Sequence, residues 1–176
     1  GLGAPRGLFN PIFGPLVEEH NFFLVQPQGT GRPSSFNGVH CCGSAVKRGV
    51  DDVGFLRAVV EDLALWLPID AAQGVVGTGF SNGAYLLEHA VGSSPSRIFS
   101  AISPVGGHLA GNVSRSSSGP VAVFLGHSLR DGSVKHAGCC STSKCCCGIS
   151  DNSPAVCTSV DGGAHGVFDQ WLEANR

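Results

Sequence analysis

Methionine is absent from the 176 residues, charged side chains make up only 14% of them, and the 11 Lys and Arg residues form no basic run. Without such a run the chain lacks the electrostatic footprint that nucleic acid or an anionic membrane surface requires. At a net charge of −2 no nucleic-acid partner is expected. No uninterrupted apolar stretch approaches the ~20 residues of a membrane span, so none is expected either. The chain opens on Gly1, with neither an initiator Met nor a basic region leading into an apolar core. No signal peptide is visible, and a mature form or a fragment is the expectation. What is present in quantity is apolar: 42% of the residues are hydrophobic, which suits one globular domain over residues 1–176 with a sizeable core.

Cysteine is in surplus, with eight residues at Cys41, Cys42, Cys139, Cys140, Cys145, Cys146, Cys147 and Cys157. An even number at this density points to disulfides and to an extracellular, oxidising compartment. The pairing stays open among on the order of 105 connectivities. The sequon Asn112-Val113-Ser114 agrees with secretion. Short spacings within the cluster resemble metal ligands, but no Cys-x-x-Cys pair is repeated, so no metal is expected.

Along the chain, buried strands alternate with amphipathic helices. After a Gly- and Pro-rich start, a short helix is expected over 15–20 and a buried strand over 22–27, stopped by Pro27. Residues 28–44 read as a turn-rich surface loop stapled through Cys41 and Cys42. Val53, Leu56, Val60, Leu63 and Leu67 recur at helical spacing behind Asp51 and Asp52, both read as capping and helix-dipole residues. Phe55, Leu56 and Trp66 read as core. Further strands are expected at 75–79, 99–105 and 121–125, with helices over 84–89 and 167–174. Residues 110–119 read as a serine-rich loop, about 136–157 as a Cys-rich insertion, and 155–160 as a short strand. This alternation predicts an α/β domain with a mostly parallel sheet and flanking helices.

Gly79-Phe80-Ser81-Asn82-Gly83 has the Gly-x-Ser-x-Gly pattern and lies between an apolar strand and a helix. That is the sequence of a nucleophile elbow, with Ser81 as nucleophile. In open α/β sheets functional groups collect at the carboxyl ends of strands, where Asp131 and His165 also fall. The order Ser, Asp, His is that of α/β hydrolases, and it assigns His165 as base and Asp131 as its orienting acid. The oxyanion hole would take the amide of Asn82, with the second donor from Leu2 or Gly3. His127 precedes Asp131 and reads as structural. His20, His40, His89, His108 and His136 belong to no constellation visible in the sequence.

The segments Gln26-Pro27-Gln28-Gly29-Thr30, Phe36-Asn37-Gly38 with Cys41-Cys42-Gly43, and Asp51-Asp52-Val53-Gly54-Phe55-Leu56 stand ahead of the elbow. Gly126-His127 through Asp131 and Gly162-Gly163-Ala164-His165 follow it. Together they resemble the polyhydroxybutyrate depolymerase and feruloyl esterase group of secreted α/β hydrolases. The resemblance implies an α/β-hydrolase fold lacking the family's N-terminal strands and the first part of its His-Gly loop. It also implies cofactor-free hydrolysis of a small-molecule or polymer ester through an acyl-enzyme on Ser81, with Ser81, Asp131 and His165 at the triad positions. Ser128, where the family often has Gly, and the Cys-rich segment 139–147 depart from the pattern. A serine peptidase on the same fold and a catalytically inactive, disulfide-stabilised binding module are the competing readings.

Overall fold

A computed structural model describes residues 2–4, 7–70, 72–92, 98–109, 112–113, 119–138 and 163–176. Its centre is a three-stranded parallel sheet in the order β1 (Val76–Phe80), β2 (Ala101–Val105), β3 (Ala122–Val123). Among the described residues five helices accompany it: α1 (Asn10–His20), α2 (Gly43–Lys47), α3 (Asp52–Trp66), α4 (Asn82–Gly92) and α5 (Gly163–Ala174). The chain is thus an α/β protein, as its alternating pattern predicts.

One face of the sheet packs on α4. Gly77 makes this possible, because a Cβ there would stand 2.8 Å from Leu87 Cδ2. Leu86, Leu87 and Val91 of α4, Ile102 of β2, and Val167 and Trp171 of α5 form one core cluster, joined by Leu56 of α3. Register places Val76, Ala101 and Ala122 in line, so the period of two puts Val76, Phe80 and Phe124 on the opposite face. There they are 67%, 50% and 71% exposed. A parallel sheet covered on both faces is therefore not what these residues form. The covered face is the one that α4 reaches by the short turn at Ser81.

Helix α3 begins where the sequence places it, and the two adjacent carboxylates divide their work. Asp51 caps the helix by accepting from Gly54 N at 2.8 Å. Asp52, expected to cap as well, is buried and instead accepts from Asn37 N. Burial raises its pKa above the ordinary carboxylate value, opposed in part by that backbone hydrogen bond. Leu56 is buried, whereas Phe55 and Trp66 are exposed, Trp66 at 77%, and do not join the core expected of them. They lie off the 53, 56, 60 stripe that faces α4, and helical periodicity turns them away.

Several boundaries shift. The strand expected over 22–27 does not form, and Phe23 and Val25 are exposed. Its backbone meets no neighbouring strand among the described residues, and an apolar run alone supplies no ladder partners. Helix α1 starts earlier than expected, at Asn10, with Pro11 in its first turn, where a fixed φ and a missing N–H are tolerated. Helices α4 and α5 are both longer than their apolar runs. The third sheet strand contracts to two residues plus a bridge from Gly126 to Val105. Cys41 and Cys42 pair with each other rather than with a distant cysteine, so the bond staples no long loop. The expected strand over 155–160 and the other six cysteines lie outside the described residues.

Glu88 sits in α4 inside the core, 1% exposed, with neither carboxyl oxygen hydrogen-bonded among the described residues. Burial lifts its pKa from 4.5 to about 8, so the folded protein holds a proton there that the unfolded chain releases. Stability from this group is full below pH 4.5 and declines as pH rises towards about 8. Relative to Glu88→Gln, the native protein should lose about 1.4 kcal/mol per pH unit across that window. Denaturant unfolding of both proteins at several pH values measures the difference, and parallel curves would refute the burial of an unpartnered carboxyl.

Candidate active site

Strand β1 delivers the chain to Ser81, and α4 starts one residue later. The reversal is sharp enough that Ser81 has a left-handed φ of 54°, a conformation a non-glycine residue adopts only where its surroundings impose it. Those surroundings are explicit. Ser81 N donates to Val105 O of the neighbouring strand at 2.8 Å, while Ser81 O accepts from Ala84 N at 2.8 Å. A Cβ on Gly79 would stand 2.5 Å from Gly83 O, so only glycine lets strand and helix approach so closely. At Gly83 nothing lies within 4 Å of the corresponding position. The two glycines of the pentapeptide therefore have different duties, which the pattern conceals.

Asp131 stands at the same end of the sheet. Gly126 bridges to Val105, and the chain then turns through 127–131. Asp131 Oδ1 accepts from Ser133 N at 2.8 Å and Val134 N at 2.9 Å, fixing the carboxylate while Oδ2 lies 3.9 Å from His127 Nε2. A Cβ on Gly106 would be 3.5 Å from Oδ2. Ser81 is thus bonded to Val105, and the Asp131 carboxylate stands beside the next residue of the same strand end, Gly106.

His165 is not brought into hydrogen-bond contact with either. It lies in the first turn of α5 rather than in a loop, is exposed, and makes no hydrogen bond to Ser81 or Asp131. Its position is set by Ala164 N, which donates to His136 O at 2.9 Å. Close packing of Gly163 holds it too, since a Cβ there would be 2.3 Å from Ala137 C and Gly138 N. Between His165 and Asp131 stand two further imidazoles. The ring centroids run His165 to His136 at 5.2 Å, His136 to His127 at 5.6 Å, and His127 to His108 at 4.8 Å.

The sequence does not reveal this row of four histidines. A signal was available, for His108 follows Gly106-Gly107 beyond β2 and His127 follows Gly126 beyond β3, both at carboxyl ends of strands. His127 is structural in the expected sense, its Nε2 hydrogen-bonded to Val134 O at 2.8 Å. His108 is buried, with Nε2 on Lys135 O at 2.8 Å and Nδ1 unpartnered. Burial lowers its pKa, and His127 and His136 lower it further, against the Lys135 carbonyl and Asp131. Among the described residues no group of three or more His, Cys, Asp or Glu side chains is placed to hold a metal ion.

For an oxyanion, the Asn82 N–H has no acceptor among the described residues. Gly3 N donates to Ser34 O at 2.8 Å and is thereby committed elsewhere. Leu2 remains as the second donor of the expected pair. It packs beside Gly43, whose Cβ position is 3.1 Å from Leu2 Cδ1. A cavity of about 290 Å³ lined by Asn112, Val113, Gln170, Glu173 and Ala174 includes none of these residues.

A short parallel sheet with flanking helices, a left-handed serine at one strand end and a tethered aspartate at the same end define an α/β protein with a candidate nucleophile site. Compared with protein-family models, curated proteins and solved structures, the chain matches none. Among the described residues no helix is long and apolar enough to cross a membrane.

The unequal duties of the two glycines give a direct check. Gly79→Ala should destabilise by about 1–3 kcal/mol, because the added methyl meets backbone that cannot withdraw. Gly83→Ala, in open space within a helix, should be neutral or stabilise by about 0.5–1 kcal/mol. Equal effects in thermal or denaturant unfolding would contradict the close approach at Gly79.

Proposed function

We propose that the chain is a serine carboxylic-ester hydrolase with an α/β-hydrolase fold, acting through an acyl-enzyme on Ser81. The observation that carries this reading is the left-handed Ser81 between β1 and α4, with Asp131 anchored beside the same strand end. The motif resemblance to polyhydroxybutyrate depolymerases and feruloyl esterases supports it. In this reading Ser81 Oγ attacks the ester carbonyl while His165 takes its proton. The proton then passes to the departing alkoxide, and water, deprotonated by the same imidazole, releases the acid and restores Ser81. Asp131 holds the imidazole in the productive tautomer and stabilises its protonated form. The free Asn82 amide, paired with Leu2, faces the tetrahedral oxygen. No cofactor enters this chemistry. Substrates are polyhydroxyalkanoate or feruloyl and acetyl polysaccharide esters, met outside the cell, where a Cys41–Cys42 bond persists.

The reading requires His165 to reach Ser81 and Asp131 once an acyl group is bound. Catalytic hydrogen bonds that are long or absent without substrate commonly tighten in the complex. The separation of His165 from both partners favours one second reading, a binding module of the same fold without turnover. A secreted peptidase would use the same three side chains, and matched ester and amide substrates separate the two.

Ser81→Ala should abolish both turnover of short-chain aryl esters and labelling by a fluorophosphonate probe. Asp131→Asn should lower kcat by on the order of 10⁴ with little change in KM, because the wrong tautomer faces the serine. Native protein that neither turns over esters nor labels would instead support the binding module.

A further inference from the structure

Asn82 follows the candidate nucleophile, and its side chain does something that its backbone role does not require. The carboxamide is fully buried at the start of α4, where a first-turn side chain ordinarily reaches solvent. Its Oδ1 accepts from Phe36 N at 2.7 Å, and Nδ2 donates to Phe36 O and to Cys41 O, both at 2.8 Å. Both amide hydrogens and the carbonyl are thus engaged, and the side chain pairs with Phe36 as a neighbouring strand would.

The segment it holds has few other backbone partners. Gly38 N bonds Cys41 O at 3.0 Å and His40 N bonds Gly38 O at 2.8 Å, but among the described residues no strand runs beside it. Gly38 lies flush on α4, with its Cβ position 2.5 Å from Tyr85 Cβ and 3.0 Å from Leu86 N. On the other side Asn37 N donates to Asp52 Oδ2, and Asn37 Nδ2 to Val50 O at 2.9 Å. Two residues upstream of Phe36, Ser34 O receives Gly3 N, so the same stretch of chain carries Leu2. The Asn82 carboxamide therefore links the two elements that bear the expected oxyanion donors, the first turn of α4 and the residues beside Leu2.

Building on the esterase reading, we infer that the Asn82 side chain is a positioning residue: it sets the spacing and direction of the Asn82 and Leu2 amides around the tetrahedral oxygen. Such donors act only when aimed at the place where charge develops, and a small misplacement weakens them without touching the nucleophile or the base. Losing three hydrogen bonds at a buried site leaves the Phe36 carbonyl and N–H to find new partners and Cys41 O with the Gly38 N–H. The segment then shifts against α4, and Leu2 shifts with it.

The test compares an aryl ester with its thionoester analogue, whose sulfur gains less from hydrogen-bond donors than an oxyanion does. The ratio of kcat/KM on the two substrates is independent of the fraction of enzyme that is folded. In Asn82→Ala it should fall by about tenfold, less than the ~10²–10³ that loss of a whole donor costs. The pH profile set by the base should stay in place. Asn82→Leu, which keeps the volume without charge but has neither the acceptor nor the donors, should move the ratio in the same direction and serves where the alanine variant folds poorly. An unchanged ratio, with activity reduced only as folded protein is reduced, assigns Asn82 to folding alone and overturns the inference while leaving the esterase reading intact. A native protein inactive on both esters and unlabelled by fluorophosphonate overturns the esterase reading and the positioning role with it.

Discussion

The hydrogen bond from Ser81 N to Val105 O is the interaction on which the described architecture turns. It closes the parallel pairing of β1 and β2 at the point where the chain reverses into α4, and it holds Ser81 in a left-handed conformation that costs about 1–3 kcal/mol. With the turn so tight, α4 has to fall back across the sheet. Leu87 then reaches Gly77, and Leu86 and Val91 join one core cluster with Ile102 of β2 and Val167 and Trp171 of α5. Core and candidate nucleophile follow from one constraint.

The same constraint accounts for what lies at the carboxyl end of the sheet. Because Val105 is engaged by Ser81, Gly106 begins a new direction and bonds to Gly126, which brings the 127–131 turn beside it. Asp131 arrives with one carboxylate oxygen fixed by two backbone amides and the other facing His127. The row from His108 to His165 fills the space beyond. Its rings are neighbours because β2 and β3, parallel and of common polarity, deliver His108 and His127 to one end of the sheet, and the bond from Ala164 N to His136 O sets His136 against the first turn of α5, which carries His165.

Local chemistry explains which parts of this arrangement are legible in the sequence. Helix α3 was readable because Val53, Leu56 and Val60 recur at its period and Asp51 caps it with a hydrogen bond. Strands β1 and β2 were readable as apolar runs that end in glycine. The run over 22–27 is as apolar, yet forms no strand, since pairing depends on a neighbour that no local pattern reports. Asp51 and Asp52 are adjacent and alike in sequence, and one caps a helix while the other is buried against Asn37. Gly79 and Gly83 are equivalent in the motif and differ by whether another backbone lies where a Cβ would go.

Sequence by itself determined the α/β class, the helix behind Asp51, and the candidacy of Ser81, Asp131 and His165. Each rests on spacing, capping or order along the chain, which are properties of neighbours in sequence. Only the tertiary structure decided that Ser81 and Asp131 share one strand end, that two histidines intervene before His165, and that Gly3 is committed to Ser34. The fully buried carboxamide of Asn82, bonded to residues 41 and 46 positions away, belongs to the same group. These are contacts between segments remote along the chain. They are settled by which faces pack and which backbone groups find partners, and residue identity constrains that without specifying it.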